Sequence, residues 1–155
     1  MKKLFFDCGS RESIPSAGLL VLRVGFGLMM LIGHGWSKIA LFQDKKDSWE
    51  VPDLWPLCYM SPPVSMIATI VAEVGASALL ILGLVTRPAA FLLGFTMVVA
   101  AFQVHADGPF FMKDGPGSKE MAVLYLIPCI VLIITGAGNA SLDGLIYKEK
   151  KRRFF

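Results

Sequence analysis

Apolar residues fall into four long blocks, at about 16–36, 64–85, 88–106 and 119–137, and the intervening stretches hold nearly all of the charge. Within a block, polar residues do not recur every three or four positions, so none reads as the one-sided helix of a water-soluble bundle. Each block is about 19–22 residues long, and a bilayer hydrocarbon core of ~30 Å takes about 20 helical residues. The pattern predicts an all-α fold: a four-helix bundle integral to the membrane, forming one domain over 1–155. Only Thr86-Arg87-Pro88 separates the second block from the third, and Pro88 suits a first helical turn, so these two should form a tight antiparallel hairpin. Loop 37–63 is long and rich in Trp and Pro, and is expected to fold over the mouth of the bundle, with room for one short helix. Ala72 and Ala76, like Ala90 and Gly94, are four apart, a spacing that lets helix backbones approach closely in lipid.

Composition sharpens this picture. The chain has 155 residues, 55% hydrophobic and only 17% charged, against about 25% charged in soluble domains. Mean hydropathy is +0.62. The first block is too long, and sits too far behind a polar leader, for a cleaved signal peptide, and no A-x-A site follows it. With both termini and the 86–87 turn on one side, that side holds nine Lys or Arg and the other five. The positive-inside rule then sets both termini in the cytoplasm. Trp36, Trp49 and Trp55 fall at or beyond the outer interface. The basic tail KEKKRR reads as a topology anchor near anionic lipid, and no nucleic-acid partner is expected. Cys8, Cys58 and Cys129 lie at different levels without a CxxC, which argues against an internal disulfide and thiol chemistry.

Two charged residues sit deep in apolar blocks, Arg23 in the first and Glu73 in the second. A charge at mid-bilayer costs roughly 2.5–3.5 kcal/mol on insertion scales. Counting ~1.5 Å per residue from the outer ends of the two helices puts their depths about 6 Å apart, within an arginine's reach. Arg23 and Glu73 are therefore expected to pair across the first two helices, either as a latch fixing register or as the floor of a polar cavity. Arg23, Gly27, Met30 and His34 share one stripe of the first helix. His34, Lys38, His105 and Glu120 come to the outer rim from three helices, and Tyr125 lies beside the kink expected at Pro128. These residues outline an outward-facing pocket able to carry protons or hydrogen-bond a quinone head group. No HxxxH or ExxH pattern supports a metal or haem site.

The stretches LRVGFGLMMLIGHGWSK (22–38), AEVGASALLILGLVTRPAA (72–90), the His105 end of the third block, KEMAVLYL (119–126) and GAGNASLDGLI (136–146) occur in an order that resembles the DoxX family of small four-helix membrane proteins. The resemblance runs from about 15 to 147. It implies a cytoplasmic-membrane protein, named for the small subunit of a quinone-linked oxidoreductase, with relatives that look like partners of redox or thiol-handling enzymes. Arg23, His34, Lys38, Glu73, Arg87, His105, Glu120 and Asp143 match that family's recurring polar residues.

Three functional readings follow. The first is a small membrane subunit of a redox system that engages a quinone or a partner oxidoreductase through the outer pocket. It has no flavin, haem or Fe–S motif of its own, so the only cofactor expected is a quinone, and enzyme activity extends at most to a subunit of a quinone-linked oxidoreductase. The second is a small transporter or permeation path, for which four helices are few unless a homo-oligomer forms. The third is a non-catalytic membrane scaffold.

Overall fold

The computed structural model describes residues 8–9, 12–115 and 117–146, and every regular element among them is helical. The leader cations Lys2, Lys3 and Arg11 and the basic tail 148–153, on which the expected orientation leans, lie outside the described residues. The main helices are α1 (Ser13–Ala40), α2 (Pro62–Leu82), α3 (Thr86–Val104) and α4 (Glu120–Thr135). The first three are long and apolar enough to cross a membrane, whereas α4 is apolar but has 16 residues.

Local chemistry sets these limits. Pro62 and Pro63 open α2, where a missing N–H costs nothing. Gly83 closes α2 in the left-handed region at φ +66°, the conformation glycine adopts without a Cβ penalty. Gly136, at φ +77°, caps α4, whose last residue, Thr135, lies two before the expected limit of 137. Pro128 sits inside α4 without dividing it.

The helices run up and down in chain order, and each packs on its neighbours. Leu80 of α2, Leu93 of α3 and Leu132 of α4 are fully buried at the centre with Met30 of α1. The outward faces are apolar too: Val21, Ile32, Phe91 and Ile134 are each more than 60% exposed. Water would penalise such a surface, and acyl chains accept it.

Small residues fix how α1 sits on α2. A Cβ at Gly27 would stand 2.8 Å from Ile81 Cγ1, and one at Gly35 would stand 2.7 Å from Val74 Cγ2. Gly94 does the same for α3 on α4, where an added Cβ would lie 3.1 Å from the Cβ of Cys129. The bundle thus has a turn end, with the 83–85 link and the segment after α4, and a loop end, with the 41–61 and 105–119 connections.

Candidate functional site

Arg23 and Glu73 do not meet. Among the described residues the ion pair of Glu73 is with Lys38, Nζ to Oε2 at 2.6 Å. The expected pairing placed Trp36 level with Val64, but Gly27 against Ile81 and Gly35 against Val74 set a different register. The level facing Glu73 is therefore near Gly35, not Gly27, a shift of roughly 12 Å along the axis at ~1.5 Å per residue. The reason lies in the length of α1. It continues to Ala40 and raises Lys38 to the height of the acid.

Arg23 turns the other way and organises the turn end. Its guanidinium, 1% exposed, donates from Nε to the carbonyl of Ala137 at 3.1 Å and from Nη1 to those of Leu80 and Ile81 at 3.2 and 3.0 Å. Nη2 donates to the carbonyl of Ala140. Leu80 and Ile81 lie in the last turn of α2, where carbonyls lack helical partners and the helix dipole is negative, so a cation is favoured there. Asp143 supplies the opposite charge at the start of α3. Its carboxylate accepts from the N–H of Val85 at 2.8 Å and of Thr86 at 2.9 Å, and its own N–H donates to the carbonyl of Gly83 at 2.9 Å. The segment after α4, with its short helix Leu142–Ile146, is thereby folded under the bundle. The charged groups of Arg23 and Asp143 are all engaged here, while the buried hydroxyl of Thr86 has no partner; the station reads as structure.

The loop end is built differently. A π-helical turn interrupts each of three helices there: Leu31–Gly35 in α1, Val71–Gly75 in α2 and Ala100–Val104 in α3. The N–H groups of Trp36, Ala76 and His105 reach back five residues to Leu31, Val71 and Ala100. Each such turn inserts one extra residue and re-aims the side chains around it, and such turns are frequent at functional sites. Here they carry His34 and Glu73 and deliver His105.

Glu73 and Lys38 form the floor of a cavity of ≈ 450 Å³. From α2 the lining continues through Ser65 and Thr69; from α3 it comes from Thr96, Val99, Ala100 and Val104, with His105 at the rim. The roof is the loop after α1, through Lys45, Ser48, Trp49, Glu50 and Pro52. Ser65 Oγ donates to the carbonyl of Glu50 at 3.0 Å and pins this roof to α2. Loop 37–63 therefore does cover one end of the bundle, but its first residues belong to α1, and short helical turns at Phe42–Lys45, Lys46–Ser48 and Leu57–Tyr59 replace the single helix expected.

Of the side chains expected at this end, Lys38, Glu73 and His105 meet around the cavity. His34 and Tyr125 do not line it. They pack on each other edge to face with centroids 5.2 Å apart, and Tyr125 also stacks obliquely on Phe26 at 5.4 Å. Glu120 is occupied elsewhere: its Oε2 accepts from the N–H of Met112 at 2.7 Å and fastens loop 105–119 to the start of α4. No three His, Cys, Asp or Glu among the described residues come together as a metal-binding set. The roof residues and Thr96 escaped the sequence reading, because nothing in a Trp-Pro loop or a lone threonine says which wall it will face.

The sequence profile of the DoxX family matches residues 18–106, more than half of the chain. The chain belongs to the DoxX family. It is thus a small multi-pass membrane protein in contact with the lipid bilayer. The DoxX match includes Arg23, Lys38, Glu73 and His105, and so both the turn-end cation and the cavity floor. Two uncharacterized proteins of Haemophilus influenzae are similar to it. One is 39% identical over 90 residues, 56% of this chain and 65% of that protein; the other is 28% identical over 134 residues, 81% of this chain and 87% of that protein. The chain thus spans just under two thirds of the length of the first of these. No solved structure matches.

Proposed function

We propose that this DoxX protein is a small inner-membrane component of a redox system, and that its loop-end cavity takes a quinone head group on behalf of a partner oxidoreductase. In this reading four helices cross the membrane, both termini are cytoplasmic and the cavity opens toward the outer face. The observation that carries it is the Lys38–Glu73 ion pair, with Glu73 only 5% exposed, at the floor of a ligand-sized cavity. A purely structural pair would be expected to be packed over. This one is left facing space in the size range of small-molecule sites.

The lining fits such a head group. A quinone offers two carbonyl acceptors on a flat ring and, when bound, supplies two-electron, two-proton chemistry. Lys38 has three N–H donors and commits one to Glu73, which leaves donors for a carbonyl. Glu73 compensates the Lys38 ammonium where water is scarce. His105 brings a second group able to donate or accept a proton at the rim, and the indole of Trp49 gives a flat apolar face. The lining cations Lys38 and Lys45 are matched by the anions Glu50 and Glu73, which favours a neutral ligand over an anion.

Trp49 also gives the experiment. Titrating the purified protein with a short-tailed benzoquinone should quench tryptophan fluorescence saturably. In Lys38→Met the affinity should fall by about tenfold or more, equivalent to ~1.4 kcal/mol. Unchanged binding in a folded Lys38→Met protein would remove the cavity floor from the reading.

A further inference from the structure

We propose that the cavity is entered sideways from the bilayer, through a gap between α2 and α3, and that its ligand is a membrane-borne molecule with a polar head and an apolar tail. This rests on the cavity being a binding site, and it adds where the ligand comes from and what its far end must be.

The gap follows from how the two helices separate. Along Val71–Leu82, α2 packs on α3, whereas its first half, Pro62–Ile70, packs chiefly on the end of α1 (Trp36–Ala40) and on the roof turn Lys46–Ser48. From Glu73 toward the loop end α2 therefore leans away from α3, and the cavity occupies the wedge between them. Its lining draws on α1, α2, α3 and the roof, and on nothing from α4. The roof covers the top of the wedge, and among the described residues neither α4 nor the short helix after it contributes to the lining.

Residues lining the wedge reach the surface. Val104 lines the cavity and is 42% exposed, and Thr69 and Thr96, on facing helices, are both half-buried. Thr96 lies nine positions before His105, about 13 Å below the rim at ~1.5 Å per residue, which is well inside the ~15 Å half-thickness of a bilayer core. Surface at that depth meets acyl chains. Thr69 and Thr96 also turn their hydroxyls onto their own helices, donating to the carbonyls of Ser65 and Leu92, so that methyl groups are left for a passing chain. A ligand with its head on Lys38 and Glu73 would leave by this route with its tail already in lipid.

Spin-label accessibility tests this without assuming the head group. Thr69→Cys and, as a lipid-facing control, Phe91→Cys would each be made on a Cys58→Ser background, labelled with a nitroxide and placed in nanodiscs. Collision with oxygen, which concentrates in hydrocarbon, should exceed collision with a water-soluble nickel chelate at position 69 as it does at position 91. A decyl-substituted benzoquinone should then lower oxygen access at position 69, and its tail-less parent should do so far less. Nickel access exceeding oxygen access at position 69 would overturn the sideways opening and leave a water-filled pocket. Oxygen access that holds while neither quinone changes it would support the opening and sink the quinone assignment instead. Saturable protection by the tail-less parent equal to that by the decyl compound would overturn the requirement for a tail.

Discussion

Among the described residues four ionisable side chains, Arg23, Asp143, Lys38 and Glu73, carry the interior, and three different devices compensate them. Arg23 donates to four backbone carbonyls, with Asp143 as the nearby opposite charge, and its fork of donors is the reason it reaches them all. Arg23→Lys keeps the charge but offers one nitrogen where three are used, so the folded protein should be markedly less stable, measured as a lower melting temperature in detergent. Asp143 caps α3 through both oxygens. Asp143→Ala should cost about 0.5–2 kcal/mol, the usual range for losing a cap, and Asp143→Asn should recover part of it. Lys38 and Glu73 compensate each other. Lys38→Met strands the buried carboxylate, and breaking such a pair costs roughly 3–5 kcal/mol, whereas Lys38→Met with Glu73→Leu should regain much of the loss. Read from the sequence, Arg23 and Glu73 stand out as charges in apolar runs, and both are buried in the fold, but their partners are not legible. A charge in an apolar run announces that it needs compensation, and only the register between helices says from where.

That register is a property of the elements. Hydropathy located the helices within a few residues, because lipid-length apolar runs leave the backbone one economical way to satisfy itself. What it missed was the continuation of α1 past Trp36 to Ala40, through residues polar enough to resemble a loop. Nor does any residue pattern mark the π turns at Leu31–Gly35, Val71–Gly75 and Ala100–Val104, since one extra residue in a helix leaves no trace in an apolar run. The glycines make the element-level account testable. Gly83 has a positive φ, and a Cβ there would stand 2.3 Å from Arg23 Nη1 and 2.6 Å from Ser141 Cβ. Gly83→Ala should therefore destabilise severely. Gly25→Ala meets nothing within 4 Å and should be neutral or stabilising by about 0.5–1 kcal/mol through helix propensity. Comparing the two melting temperatures separates glycine as a joint from glycine as filler.

At the scale of the whole molecule the two ends of the bundle have different work. At the turn end Arg23 binds carbonyls of α2 and of Ala137 and Ala140, Asp143 binds the start of α3, and the chain after α4 is thereby locked under the bundle. The loop end is left open, with an ion pair beneath a roof that packs on the first half of α2 and is hydrogen-bonded to it from Ser65 to Glu50. Ser65→Ala should loosen that roof, raising the rate of proteolytic cleavage within 49–61 while leaving the global stability within about 1 kcal/mol of wild type. Fold and family could be read from the sequence while the ligand could not. The family follows from motifs that each lie whole in the chain, whereas the cavity, like the turn end, draws single residues from several separate elements. The central claim is that Lys38 and Glu73 act as one unit on a bound head group, and a double-mutant cycle tests it most directly. Quinone affinity, read by Trp49 quenching, would be measured for wild type, Lys38→Met, Glu73→Gln and the double variant. Strong non-additivity, the double variant binding no worse than Lys38→Met alone, is the predicted result; losses that simply add, or no loss in any variant, would contradict it.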